Sequence, residues 1–167
     1  MKLPKRKPTR LKYYDYSNDG AYFITICTHN RKNILSNIVG DGVYDIPQTK
    51  LTEYGKTLEK YIVLINSKYD NISIDKYVIM PNHIHLIIKI ENQSRIGMSQ
   101  APYPTANATI PKIISLFKRY CNREFGNNIF QRSFHDHIIR DEKDYLKIWN
   151  YIDTNPQKWK EDCFYTE

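Results

Sequence analysis

Long apolar runs are missing from this 167-residue chain. None reaches the ~18 residues that a membrane span needs, so no transmembrane helix is expected. Cysteine is scarce and badly placed for joint work: Cys27, Cys121 and Cys163 are odd in number, widely spaced and form no CxxC pair. That excludes a cysteine-rich zinc site and reads as free thiols in a reducing compartment. Acidic residues are absent from Met1 to Lys12, which carries Lys2, Lys5, Arg6, Lys7, Arg10 and Lys12. No apolar stretch follows this basic segment, so it does not read as a secretory signal. Nothing points away from the cytoplasm, and there is neither an internal repeat nor a convincing linker.

What is present fits one folded unit. Hydrophobic residues make up 41% of the chain, which suits a globular class, and the length suits a single domain over residues 1–167 with a basic arm at 1–13. The net charge of +7 and pI near 9.2 attract polyanions without choosing among them. The arm, with Lys5, Arg6, Lys7 and Arg10, suits contacts to a phosphate backbone.

The pattern along the chain is α+β. Tyr22 to Thr28 is aromatic and β-branched and reads as a buried strand. Ile34 to Lys50 holds two short extended pieces around Gly40-Asp41-Gly42, a hairpin. Leu51, Tyr54, Leu58, Tyr61, Ile62 and Ile65 recur at helical spacing, predicting a helix from about Thr52 to Asn66. Ile72 to Met80 and His83 to Ile90 read as strands paired antiparallel across a Pro81-Asn82 turn. A loop follows over 91–107. A second helix carries Pro111 in its first turn, an apolar stripe of Ile110, Ile113, Ile114, Phe117, Tyr120 and Cys121, and Gly126 at its end. Its cations Lys112, Lys118, Arg119 and Arg123 lie off the stripe. Ile129 to Arg140 reads as a further strand. Asp141 then caps a third helix that runs to about Asn155, where Pro156 stops it. The sum is an antiparallel sheet with helices packed against it.

Residues two apart on a strand share a face. His83 and His85 therefore point the same way while Ile84 enters the core, and two imidazoles on a rigid strand suit adjacent positions around one metal ion. His135 and His137 alternate in the same manner, and spacing alone does not decide between the pairs. On the last helix Tyr145, Ile148, Trp149 and Ile152 make the buried stripe. Tyr151 and Asn155, about 40° apart around the axis, lie together on its flank. Pro156 biases Asn155 out of helical geometry, which places it just past the regular helix.

Four blocks carry a resemblance: YFITICTHNRK (22–32), YVIMPNHIHLII (77–88), FQRSFHDHIIRDEKDY (130–145) and NYIDTNP (150–156). In content and order the chain resembles the REP-associated tyrosine transposases and the wider insertion-sequence single-tyrosine transposases, within the HUH endonuclease superfamily named for a His-hydrophobic-His motif. The resemblance implies a ferredoxin-like HUH nuclease fold, metal ligation by His83, His85 and Asn155, and Tyr151 as nucleophile. It gives His137 a supporting or DNA-contacting role. It further implies a Mg²⁺- or Mn²⁺-dependent nickase and joiner of single-stranded DNA bearing a hairpin or repeat, passing through a 5′-phosphotyrosine. Lys5, Arg6, Lys7, Arg10, Lys118, Arg119 and Arg123 would hold the DNA. The alternatives are a catalytically inactive DNA-binding module derived from a transposase, a related replication initiator or relaxase (usually a larger protein), and a phosphodiesterase that uses water. A homodimer with the tyrosine acting in trans stays open.

Overall fold

The computed structural model describes residues 14–40, 45–91 and 109–166. The basic arm with Lys5, Arg6, Lys7 and Arg10, the tip of the hairpin at Asp41 and Gly42, and most of the 91–107 loop lie outside the described residues. The elements run β1 (Gly20–Cys27), β2 (Ser36–Val39), β3 (Gln48–Leu51), α1 (Glu53–Lys68), β4 (Ile72–Ile79), β5 (His83–Ile90), α2 (Thr109–Phe125), β6 (His135–Ile139) and α3 (Glu142–Thr154). A four-stranded sheet has the order β4-β5-β1-β6, with every neighbouring pair antiparallel. Without the β2–β3 hairpin and α3, this is the β-α-β-β-α-β ferredoxin-like arrangement, as expected from the sequence.

The alternation along each strand divides the sheet into two apolar layers. Tyr22, Ile24 and Ile26 of β1 and Ile84, Leu86, Ile88 and Ile90 of β5 enter the main core, where they meet Leu58 and Ile62 of α1 and Ile110, Ile113, Ile114 and Phe117 of α2. The opposite face carries Ala21, Phe23, Val78, Ile87 and Ile139, covered by Tyr145, Ile148, Trp149 and Ile152 of α3. Polar contacts fix the lie of α3. The Tyr145 hydroxyl donates to Asp75 Oδ2 at 2.9 Å, Lys76 pairs with Asp153, and the Lys76 ammonium sits 4.6 Å from the centre of the Trp149 ring. Asp75 lies where the β4–β5 register shifts between Ile74 and Lys76, so the irregularity turns its carboxylate toward the helix.

Local chemistry starts and stops the helices. Thr52 Oγ1 accepts from the Gly55 amide and Asp141 Oδ1 from the Asp144 amide, which satisfies donors that the first turns of α1 and α3 leave open. Gly126, at φ +70°, follows the end of α2. One expectation needs correction. The run Ile129 to Arg140 is not one strand, because only His135–Ile139 pairs along β1. Upstream, the chain bulges away from β1, which runs on to Cys27 beside β5, and contact reduces to a bridge between Thr28 and Phe130 and the Gln131 amide on the Cys27 carbonyl. The Gln131 and Ser133 carbonyls turn instead to the Lys118 ammonium at 2.9 and 2.8 Å.

Helix α1 lies so close to the chain before the hairpin that a Cβ on Gly55 would fall 2.2 Å from the Leu35 carbonyl oxygen. Alanine is the better helix former by about 1 kcal/mol, yet Gly55→Ala is expected to destabilise the protein by about 1–3 kcal/mol through overpacking. Urea denaturation measures this, and a neutral or stabilising result would contradict the close approach.

Candidate metal and nucleophile site

The site lies on the α3 face of the sheet, at the end where β5 begins. His83 and His85 are buried, at 0% and 1% exposure, although both belong to a strand that starts straight after a turn. Their Nε2 atoms face each other at 3.0 Å. Adjacent ligands of an octahedral ion with bonds of about 2.1 Å stand at about this separation. Each ring is held from behind. His83 Nδ1 lies 2.9 Å from Asn82 Oδ1, and His85 Nδ1 lies 2.8 Å from Thr25 Oγ1. The Asn82 oxygen can only accept, so His83 carries its proton on Nδ1 and presents a bare Nε2. Thr25 can accept in the same way, which frees His85 Nε2. Burial lowers the His83 pKa to about 4, partly offset by the Asp162 carboxylate. Burial, with His83 adding, lowers that of His85 well below the ordinary value. Both rings are therefore kept neutral, the form a metal requires.

Helix α3 brings Tyr151 to the pair within the same chain. Its hydroxyl oxygen is 3.3 Å from His85 Nε2, and its ring stands edge-on to His85 and Phe23 at centroid distances of 5.2 and 6.0 Å. The hydroxyl donates to Asp162 Oδ2 at 3.3 Å. Burial, followed by the Asp162 charge, pushes the phenol pKa up. Tyr151 remains 38% exposed, so a substrate can reach its oxygen.

Asn155 caps the C-terminus of α3 in right-handed helical geometry, φ −58° and ψ −42°, despite the following proline. Its side chain is buried, its Nδ2 donates to Asp162 Oδ2 at 2.9 Å, and its Oδ1 is buried with no hydrogen-bond partner. A solvent-excluded acceptor left unpaired is costly, and a cation would satisfy it. Asp162, which the sequence reading missed, joins the group: one ligand atom each from His83, His85 and Asp162 lie within 4.8 Å of one another. Two neutral imidazoles and a carboxylate form a mixed nitrogen and oxygen donor set that fits a divalent ion such as Mn²⁺ or Mg²⁺, and the unpaired Asn155 oxygen belongs to the side chain that donates to that carboxylate.

Asp162 sits in an aperiodic segment after Pro156, and no spacing rule links it to a histidine far earlier in the chain. The segment is fastened by Asn82, whose Nδ2 donates to the carbonyls of Arg31 and Phe164 and to Thr166 Oγ1, and by Arg31, which donates to the Cys163 carbonyl at 3.0 Å. Phe164 and Trp159 then wall His83 at centroid distances of 4.7 and 6.0 Å.

The second pair of histidines stays apart. His135 and His137 share the site face but extend along β6, beyond β1, and are not part of the three-residue group found among the described residues. His137 Nε2 pairs with Asp144 Oδ2 at 2.7 Å, tying β6 to the first turn of α3. Of the cations on α2, Arg119 and Arg123 are exposed, whereas Lys118 is engaged with the 131–133 backbone.

Replacing Asn82 by alanine is expected to release the segment 156–166. Limited proteolysis should cut there first, with the sheet core still protected in hydrogen exchange. Uniform loss of protection would mean that Asn82 serves the whole fold instead.

No family model matches the chain. It is 34% identical, over 175 residues that cover 97% of it and 94% of the relative, to an uncharacterised protein of Haemophilus influenzae. A second protein of that organism, named as a REP-associated tyrosine transposase, is 29% identical over 147 residues, 86% of this chain and 74% of the relative. A solved REP-associated tyrosine transposase bound to a REP hairpin shares the fold, with a TM-score of 0.54 and 22% identity over 89% of this chain and 74% of that one. Along nearly its whole length the chain is a relative of the first of these proteins, and in sequence and in fold it is similar to the REP-associated tyrosine transposases.

Proposed function

We propose that the protein is a metal-dependent nickase and joiner of single-stranded DNA that carries a hairpin or repeat, with Tyr151 as its nucleophile. The observation that supports this best is the placement of the Tyr151 oxygen 3.3 Å from His85 Nε2 within one chain. His83 and His85 would hold the cation through Nε2, with Asn155 Oδ1 and the Asp162 carboxylate as the oxygen donors at hand. A divalent ion bound there supplies positive charge that neutralises the scissile phosphate and offsets the raised pKa of the phenol.

The chain's own residues do the rest. Tyr151 is aimed by its edge contacts with Phe23 and His85. Its oxygen attacks phosphorus, a tyrosine O–P bond forms, and the bond to the 3′ oxygen breaks, giving a 5′-phosphotyrosine and a 3′-hydroxyl. Asp162 Oδ2 is placed to take the phenol proton, and the leaving 3′ oxygen gains a proton from the site or from solvent. The covalent link conserves the phosphodiester for rejoining, which a water-mediated cut would lose. The exposed Arg119 and Arg123 on α2 supply a cationic surface for phosphates, and Lys5, Arg6, Lys7 and Arg10 bring further positive charge in sequence. The relatives' names support a transposase role, and the hairpin bound in the solved relative supports the substrate class.

Incubation with a hairpin-bearing single strand and Mn²⁺ is expected to give a protein–DNA adduct that survives denaturation. Tyr151→Phe should abolish the adduct, and its persistence would move the nucleophile elsewhere. His83→Ala/His85→Ala should bind Mn²⁺ more weakly and lose nicking, as should removal of the metal with a chelator. A wild type that binds the strand but never forms an adduct favours the inactive-module alternative. Thr25→Val, which removes only the partner of His85 Nδ1, is expected to weaken Mn²⁺ binding by roughly 10–100-fold in a fold that stays intact. Titration calorimetry beside a thermal unfolding trace checks both halves.

A further inference from the structure

Among the described residues, Asn30 and Arg31 are the only non-glycine ones with positive φ, at 54° and 52°. Asparagine accepts that geometry more readily than most residues. Arginine does not, and such backbone strain persists only where surrounding contacts enforce it. Here they do. The Arg31 amide donates to the Thr28 carbonyl at 3.2 Å. The Arg31 carbonyl accepts from Asn82 Nδ2 at 3.3 Å and from Thr166 Oγ1 at 3.2 Å. This turn follows the end of β1, whose last residue, Cys27, lies opposite His83. It therefore stands at the same end of the sheet as the Tyr151 site.

The strained turn sets a guanidinium beside the histidines. Arg31 Nη1 donates to the Cys163 carbonyl at 3.0 Å, and Cζ is 5.2 Å from the centre of the Phe164 ring. The same ring lies 4.7 Å from that of His83. The charge is felt there: after burial and the Asp162 carboxylate, Arg31 also acts on the His83 pKa, in the downward direction. Arg31 is exposed, and no carboxylate pairs with it among the described residues. Fastening the 156–166 segment does not call for a full charge, because Asn82 holds the Phe164 carbonyl at 2.8 Å with a neutral amide. A planar cationic fork, left without a carboxylate beside a candidate metal site, suits an anion that arrives with the substrate.

We propose that Arg31 holds the phosphate next to the scissile one in the bound strand. This rests on the DNA-processing reading above and adds to it a residue that touches the substrate. The spacing selects the phosphate. A cation at the Nε2 atoms takes the scissile group, and Arg31, which shares the Phe164 ring with His83, is set off from it by the width of that ring. The fork can then bond two oxygens of the neighbouring phosphate. Two successive anchor points fix the direction of the strand, so that phosphorus is presented to the Tyr151 oxygen in one orientation.

The test is equilibrium binding of the full chain carrying Tyr151→Phe, so that no bond breaks, to hairpin-bearing strands with one neutral methylphosphonate each. The position whose neutralisation removes the effect of Mn²⁺ on binding marks the phosphate at the metal. Neutralising the phosphate beside it should weaken binding by roughly 10–100-fold. Adding Arg31→Asn, which suits the positive φ, should cost the same factor on the unmodified strand and nothing further at that position. Arg31→Lys keeps a charge and a donor for the Cys163 carbonyl but not the fork, and should lose part of the factor. Mn²⁺ affinity without DNA, read by titration calorimetry, should stay level or rise in both variants, because no positive charge is added near His83. Losses that combine independently at every position would overturn the proposal. So would coupling at the metal-bound phosphate itself, or Mn²⁺ affinity that falls along with DNA binding, and either would leave Arg31 a fastener of the 156–166 segment. A strand with no Mn²⁺-sensitive phosphate would defeat the metal reading together with the proposal. Cleavage is not measured here: a wild type without an adduct would defeat the nickase reading and leave the Arg31 contact standing, whereas independent losses would defeat that contact alone.

Discussion

Strand β5 is buried on both faces, and the molecule depends on how it tolerates that. Its even-numbered residues, Ile84, Leu86, Ile88 and Ile90, enter the core beneath α1 and α2. Its odd-numbered residues begin with His83 and His85 and continue to Ile87 under α3. Water is excluded from both sides, so the histidines cannot carry charge cheaply and every polar atom near them needs a partner. Thr25 and Asn82 supply the partners for the Nδ1 atoms, and the Nε2 atoms converge. The same alternation that builds the core thus produces a rigid, neutral, electron-donating pair.

The other half of the site comes from a helix that sits on the sheet with little freedom. Tyr145, Trp149 and Ile152 place α3 on Ile87 and Ile139, and Asp75 and Lys76 of β4 fix its direction. On the flank of the buried stripe, Tyr151 is then carried to His85 and Asn155 to Asp162 as a consequence of apolar packing. Asp162 reaches the group by a different route, through a segment held by hydrogen bonds to Asn82 and Arg31.

Period and local chemistry were legible in the amino-acid sequence. The two-residue alternation of β5, the stripe of α3, the caps at Thr52 and Asp141 and the antiparallel turn at Pro81-Asn82 follow from rules that act over a few residues, and the structure has them. Tyr151 and Asn155 could be put on one flank by helical geometry, but that the flank faces His85 was not contained in any spacing. Thr25 is a partner of His85 only because β1 and β5 align residue 25 with residue 85, and register between distant strands leaves no local mark. The strand expected over Ile129 to Arg140 shortened because the chain bulges away from β1 before His135, where Lys118 takes the Gln131 and Ser133 carbonyls. The same contact engages Lys118, which charge pattern alone would count among the cations facing DNA.

The closure of α3 and the following segment over the sheet has a consequence in time. The main core between the sheet and helices α1 and α2 draws on nothing beyond β6, whereas the opposite face waits for α3, and domains tend to organise from the N-terminus as they are made. His83 and His85 can therefore be aligned on β5 while Tyr151 is still unmade. A chain interrupted before α3 would keep the paired imidazoles and lack Tyr151, Asn155 and Asp162. Any chemistry that Tyr151 carries out is thus deferred until the surfaces of α2 and the sheet have formed.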